Sequence, residues 1–278
     1  MRTTAAGTLE AVTLAMPARN TTLTWAFATG ECGSENWGGA SAVDFAAANV
    51  GDFVSAGKKY IISTGGAAGS FTCGSDAGFT TFLNRYNSSN MIGIDFDIEA
   101  GQTSAQIDAL IQRVKTAQGS HPNLRFSFTI ATLGQNNGTP TATDLGAGSP
   151  DPLGAMGDLV MQRIQAAGLT NYYINLMAMD YGTGTGVCVM SGGTCEMGQS
   201  AIQAAMDLHG HWNVPYNHIE LTPMNGANDV AANNFSLGNA GTMDAFVKSN
   251  GLGGVHYWSL DRDPGLSFDN KFISDLGL

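Results

Sequence analysis

Residues 91–100 read Met-Ile-Gly-Ile-Asp-Phe-Asp-Ile-Glu-Ala and place Asp95, Asp97 and Glu99 at every second position. Side chains alternate between the two faces of a strand. A strand here therefore puts all three acids on one face, with Ile92, Ile94, Phe96 and Ile98 on the other. Carboxylates crowded on a buried face cannot all ionise; some must hold a proton or accept hydrogen bonds. Glu99, nearest the C-terminal end, is the candidate proton donor. Asp97, one layer deeper, can hydrogen-bond to Glu99 or turn toward a ligand. Asp95 can hold a shared proton, and two carboxyls coupled in this way titrate as a unit. A solvated strand face is the competing reading. It fits poorly in a chain of which only 13% is charged, about half the usual share.

Short apolar runs with strand character recur along the 278 residues, at 22–28, 60–66, 91–99, 124–131, 172–180, 218–224 and 254–260. Helical periods separate them. Ile107, Leu110, Ile111 and Val114 follow the i, i+3, i+4, i+7 rule, as roughly do Leu159, Val160, Ile164 and Ala167. Residues 200–208 and 243–247 also read as helix. Repeated strand–helix units predict an α/β fold with parallel strands. Their spacing and the chain length suit a (β/α)8 TIM barrel, one domain over residues 1–278. One strand is missing from the count. Residues 1–12 are the place for it, but the stretch LEAVTLAM reads equally as helix, so the first strand is uncertain. A doubly wound sheet is the runner-up. Its phosphate turn would have to be Gly-Thr-Gly-Thr-Gly at 182–186, and no helical pattern begins there.

A net charge of −11 argues against nucleic acid and against an anionic membrane surface. No apolar run reaches the length of a membrane span. His209 and His211 have a short spacing but no accompanying acid or cysteine cluster, so no metal is expected. No Gly-x-Ser-x-Gly elbow occurs, which leaves a serine triad without its usual setting. Cys32, Cys73, Cys188 and Cys195 form no Cys-x-x-Cys pair; their even number suggests two disulfides in an oxidising compartment. The low charge and sparse lysine fit a secreted protein whose leader lies outside this sequence.

Gly93-Ile94-Asp95-Phe96-Asp97-Ile98-Glu99 resembles the core of the Asp-x-x-Asp-x-Asp-x-Glu signature of family 18 glycoside hydrolases, the chitinases. The signature's first Asp is replaced by Ile92, which by parity faces the helices. Ser63-Thr64-Gly65-Gly66 matches the family's Ser-x-Gly-Gly. Residues 175–182 resemble its Met-x-Tyr-Asp strand: Met177 and Asp180 match, Met179 stands where the family often has Tyr, and Tyr181 shares the parity of both methionines. Residues 221–229 and Trp258 resemble the last two strands of some bacterial and archaeal members, and the likeness runs from about residue 22 to 263.

The resemblance implies a chitinase that uses the 2-acetamido oxygen of its own substrate as nucleophile and retains configuration. Glu99 would be acid and then base, Asp97 would orient the acetamido N–H, and Asp95 would support Asp97. Tyr181 would bond the acetamido oxygen, and Asp180 a sugar hydroxyl. Trp258 would floor the sugar ring, and Ser63 would donate to Asp95 or Asp97. Met177, Met179 and Met224 are core fillers or substrate contacts; Trp37 is a stacking platform or a buried ring. Cys32–Cys73 and Cys188–Cys195 are the expected pairs, each restraining a loop at the mouth. About thirty residues separate the last two strands, room for one helix, which implies an open groove and endo cleavage. No cofactor, a chitin or chito-oligosaccharide partner and a monomeric state complete the expectation. The alternatives are an endo-β-N-acetylglucosaminidase on N-glycans and a non-catalytic chitin-binding lectin on the same barrel.

Overall fold

The computed structural model describes residues 2–3, 9–10, 16, 19–20, 22–134, 150–184 and 186–278. The chain divides into two compact units, residues 1–129 with 159–172 and residues 130–158 with 173–278.

The first unit is built on parallel strands β1 (Thr22–Ala28), β2 (Lys59–Gly65), β3 (Met91–Asp97) and the first part of β4 (Arg125–Ala131). They pair in chain order. Helices α1 (Ala42–Ser55), α2 (Asp76–Tyr86) and α3 (Ser104–Ser120) form the crossovers. Each helix starts at a hydroxyl that accepts a backbone N–H: Ser41 from Asp44, Ser75 from Gly78, and Thr103 in a capping box with Gln106. One strand face is oily. Ile62, Ile94, Phe96, Phe126 and Phe128 are all buried, together with Phe82, Ile107, Leu110 and Val114 from the helices. Phe96 packs on Phe71, Phe79 and Phe128. Trp25 stacks flat on Tyr60, with ring centroids 4.1 Å apart.

The missing strand does not appear among the described residues of 1–12. Arg2–Thr3 and Leu9–Glu10 pair antiparallel as two-residue strands; residues 11–15, in the stretch read as helix or strand, lie outside the described residues. The first parallel strand is β1.

The second unit carries β5 (Tyr173–Ala178), β6 (Ile219–Pro223) and β7 (Gly254–Val255), again parallel. α5 (Met197–Trp212) and α6 (Leu237–Asn250) cross between them, and α7 (Ser267–Leu276) packs on α6. Between β4 and β5 in chain order, α4 (Ala155–Ala167) crosses the boundary of the two units in sequence, at residue 158. The strand expected at 254–260 is only two residues long. Beyond it the ladder survives as two bonds, His256 N–H to Leu221 O and Trp258 N–H to Pro223 O. The thirty-residue connection holds α6 and a small hairpin, Gly226–Ala227 with Asn234–Phe235. Gly182 and Gly186, of the glycine-rich stretch, take positive φ and begin no helix; Thr185 lies outside the described residues. His209 and His211 fall in the last turn of α5, where His209 bonds the Val214 carbonyl and His211 meets Asp151.

Both disulfides pair as expected, Cys32–Cys73 and Cys188–Cys195. Gly30–Glu31 and Phe71–Thr72 run side by side, with Cys32 N–H donating to Thr72 O at 2.8 Å, which brings the first two cysteines together. No helix among the described residues is long and apolar enough to cross a membrane.

Asp244 of α6 is buried, and neither carboxylate oxygen has a hydrogen-bond partner among the described residues. Burial first, and then the nearby Asp275, raise its pKa from 3.8 to about 7, against the opposing effect of Lys271. A carboxyl whose folded pKa is raised favours folding while it stays neutral. Its contribution is complete below about pH 4 and is lost as pH rises through about 7. Between pH 4 and pH 8 the wild type should therefore lose about 2–4 kcal/mol more stability in urea unfolding than Asp244→Asn does. An unchanged pH slope in that variant would contradict the assignment.

Candidate active site

The acid strand delivers two of its three carboxyls into the buried face of β3. Asp95 and Asp97 are 6% and 7% exposed. β3 ends at Asp97, so Glu99 stands just beyond the strand rather than in its last position, half-buried. One strand-ladder bond continues, from Ile98 N–H to Thr129 O.

Register explains how Asp95 is held. Ser63 of β2 and Ser127 of β4 are its lateral partners. Their hydroxyls donate at 2.6 Å, Ser63 to Oδ2 and Ser127 to Oδ1, and Thr129 donates to Oδ1 at 2.8 Å. Hydrogen bonds of this kind favour the ionised carboxylate. Asp97 has the opposite surroundings. Its Oδ1 is buried without a partner among the described residues. Burial first, then Asp95, then Glu99, push its carboxyl up to about 9. The hydroxyl donors thus gather around Asp95, and Asp97 Oδ1 receives none among the described residues. The carboxyl of Glu99 is also raised by burial, against the opposing pull of a hydrogen bond from the Ala67 backbone N–H. A half-exposed carboxyl that keeps its proton to higher pH, at the C-terminal end of a parallel strand, is equipped to hand that proton to a leaving group.

Two glycines let the strands close on the acids. Gly65 has φ +90°, and a Cβ there would overlap the Asp97 carbonyl oxygen. A Cβ on Gly93 would overlap the Arg125 side chain. Ile92, which replaces the signature's first Asp, is half-buried where the β2–β3 register slips between Tyr60 and Ile61.

In the second unit β5 ends at Ala178, and Asp180 adopts φ +52°. Strand parity therefore does not reach Tyr181. Its burial places it instead: it is 4% exposed, and its hydroxyl has no partner among the described residues. Burial raises the phenol's pKa well above its ordinary value. Asp180 Oδ1 accepts from Val230 N–H at 2.7 Å. Met177 and Met179 are half-buried and Met224 is buried. Met224 bridges to Trp258, whose ring is 36% exposed.

Trp37 takes the buried alternative. It is 4% exposed, stacks on Phe45 at 3.7 Å, and donates from Nε1 to the Tyr86 hydroxyl at 2.8 Å. Tyr86 in turn donates to buried Glu35, which pairs with Arg85. Both sides of the Trp37 ring system are thereby committed to the fold, and no platform remains.

Sequence reasoning missed Ser127 and Thr129 as holders of Asp95. Their signal was present as polar residues alternating with Phe126, Phe128 and Ile130. Asn228 and Asn233, which grip the backbone on either side of Tyr181, carried no pattern.

Solved structures decide the architecture. The catalytic domain of a hyperthermophilic chitinase from Pyrococcus furiosus superposes with a TM-score of 0.69 at 21% identity, over 96% of this chain and 94% of that one. The fold is the (β/α) barrel of the family 18 chitinases. A family 18 chitinase from Chromobacterium violaceum gives a TM-score of 0.60 at 18% identity, over 98% and 80% of the two chains. Endochitinase 11 of Metarhizium anisopliae is 27% identical over 229 residues, 75% of this chain and 40% of that protein. A probable bifunctional chitinase/lysozyme of Escherichia coli is 27% identical over 229 residues, covering 24% of its length. The chain thus spans less than half the length of these curated relatives. No protein-family model matches the chain. The doubly wound alternative is set aside by these superpositions.

Gly65→Ala tests the close approach of β2 to the acids. The variant should lose about 2 kcal/mol or more in denaturant unfolding, since both the positive φ and the Asp97 carbonyl oppose a methyl group. Wild-type stability would show that β2 can retreat without cost.

Proposed function

We propose that the protein is a family 18 glycoside hydrolase that cleaves β-1,4 linkages between N-acetylglucosamine units of chitin or chito-oligosaccharides. The observation that carries the reading is the setting of the three acids: Asp95 held by three hydroxyls, Asp97 buried with its carboxyl raised to about 9, and Glu99 raised and half-exposed just beyond the strand. Two further facts support it: a fold shared with chitinases, and a Pyrococcus furiosus chitinase domain of the same fold that was solved with chito-oligosaccharides.

Glu99 gives its proton to the glycosidic oxygen as the C1–O bond breaks. The acetamido carbonyl oxygen of the same sugar attacks C1 from the opposite side and closes an oxazolinium ring. Asp97, with a buried oxygen that lacks a partner among the described residues, accepts the acetamido N–H and orients it. Water then attacks C1, the C1–O bond of the oxazolinium ring breaks to restore the acetamide, and Glu99, now a carboxylate, removes the water's proton. Configuration is retained after two inversions. The resemblance gives Tyr181 the acetamido oxygen and Trp258 the sugar face. A chitin-binding lectin would need no protonated carboxyl, so the presence of Glu99 favours the enzyme. The loops do not distinguish chitin from the N-glycans of an endo-β-N-acetylglucosaminidase; the same acids serve both.

Glu99→Gln should lower hydrolysis of chitotetraose at least 10²-fold, with little change in substrate affinity. Retention of more than a tenth of wild-type turnover would remove Glu99 from the mechanism. The short connection between β6 and β7 supports endo action. The first products from a long chito-oligosaccharide should be internal fragments, and release of dimer alone from one end would contradict this.

A further inference from the structure

The second unit contains a grip on Tyr181 that does not involve Tyr181 itself. The residue lies past the end of β5, so no strand ladder fixes it. Its hydroxyl is buried without a partner among the described residues, so none of them fixes its polar end. What is fixed is the backbone on both sides. Gly182 N–H donates to Asn233 Oδ1 at 2.9 Å, and Asn233 Nδ2 donates back to Gly182 O at 2.8 Å. On the other side Asp180 N–H donates to Asn228 Oδ1 at 3.1 Å, and Val230 N–H donates to Asp180 Oδ1.

Asn228, Val230 and Asn233 all belong to the loop of the hairpin after β6. The loop is itself closed by Asn228 N–H to Asn233 O at 3.0 Å and Asn233 N–H to Val230 O at 2.9 Å. Asn228 Nδ2 ties it to Met224 O. Asn233 is fully buried, and its amide uses both ends on one glycine. A primary amide can satisfy an N–H and a C=O of the same residue at once; a carboxylate of the same shape cannot donate, and an aliphatic side chain does neither.

We propose that Asn233 is a positioning residue for the reaction: by clamping Gly182 it sets where the Tyr181 hydroxyl stands. This rests on the reading of Tyr181 as the partner of the substrate's acetamido oxygen. An unpartnered hydroxyl in a dry site contributes only where it is aimed, and a displacement of about 1 Å can cost about 10²-fold. Asn233 touches no reacting atom, so its effect must pass through Tyr181.

The test is a double-mutant cycle on chitotetraose with Tyr181→Phe, Asn233→Asp and the two combined. Asn233→Asp keeps the size of the side chain and the acceptor for Gly182 N–H but sets an oxygen against Gly182 O. Asn233→Ala is the second variant should the first not fold. The expected result is a 10- to 100-fold lower kcat for the Asn233 variant with KM changed less than threefold, and a double variant no slower than Tyr181→Phe alone within a factor of two. Multiplying effects, or a kcat within twofold of wild type, would overturn the proposal. Amide exchange over residues 180–184 is read on the same samples. It should speed up at least tenfold in the Asn233 variant, and unchanged exchange would also overturn the clamp. A wild-type protein that cleaves no chito-oligosaccharide would instead refute the chitinase reading, and exchange alone would then decide whether Asn233 holds Tyr181.

Discussion

Two carboxyl groups on one buried face of a strand, a single residue apart, cannot both be charged. This constraint organises the first unit. Asp95 and Asp97 occupy successive layers of β3 with little solvent to separate them. The fold supplies hydrogen bonds to them unequally. Three hydroxyls from the flanking strands converge on Asp95, whereas one Asp97 oxygen has none among the described residues. That inequality is a consequence of strand register: Ser63 and Ser127 stand opposite Asp95 because β2, β3 and β4 are parallel and aligned at that layer.

The same constraint accounts for the glycines around the acids. A strand carrying buried carboxyls needs its neighbours close enough to donate. Gly65, at positive φ, lets β2 lie against the Asp97 carbonyl, and the next residue, Gly66, donates its N–H to that oxygen at 3.1 Å. Gly93 leaves room for the stem of Arg125. Further out, the Cys32–Cys73 bond and the buried Glu35–Arg85 pair hold the segments after β1 and β2, with Trp37 and Tyr86 closing the network. The loop-side rigidity of this unit is thus covalent and ionic. In the second unit the segment after β5 is held by asparagine side chains on backbone amides.

The acid ladder was legible because strand alternation is local. Asp95, Asp97 and Glu99 at spacing two fix a shared face as far as the strand extends, and the oily residues between them fix which face is dry. Helix α3 was legible for the same reason, with Ile107, Leu110, Ile111 and Val114 all buried. Alternation failed where strands stopped. Glu99 lies beyond the end of β3, Tyr181 beyond a left-handed turn at Asp180, and the strand expected at 254–260 pairs over two residues only. Trp37 has the composition of a sugar platform, but its neighbours in space, Phe45 and Tyr86, make it part of the core.

Sequence alone determined the α/β class, the acid face of β3 and the four cysteines, since each depends on residue type and short-range spacing. Only the tertiary structure decided that three hydroxyls gather on Asp95, that Trp37 is buried and that Asn233 grips Gly182. Each of those depends on groups 32 to 51 residues apart in the chain, such as Ser63 with Asp95, Trp37 with Tyr86 and Gly182 with Asn233. Hydrogen bonds reach about 3 Å and require a definite direction. No pattern along the chain records which distant partner meets that requirement until the strands are placed side by side.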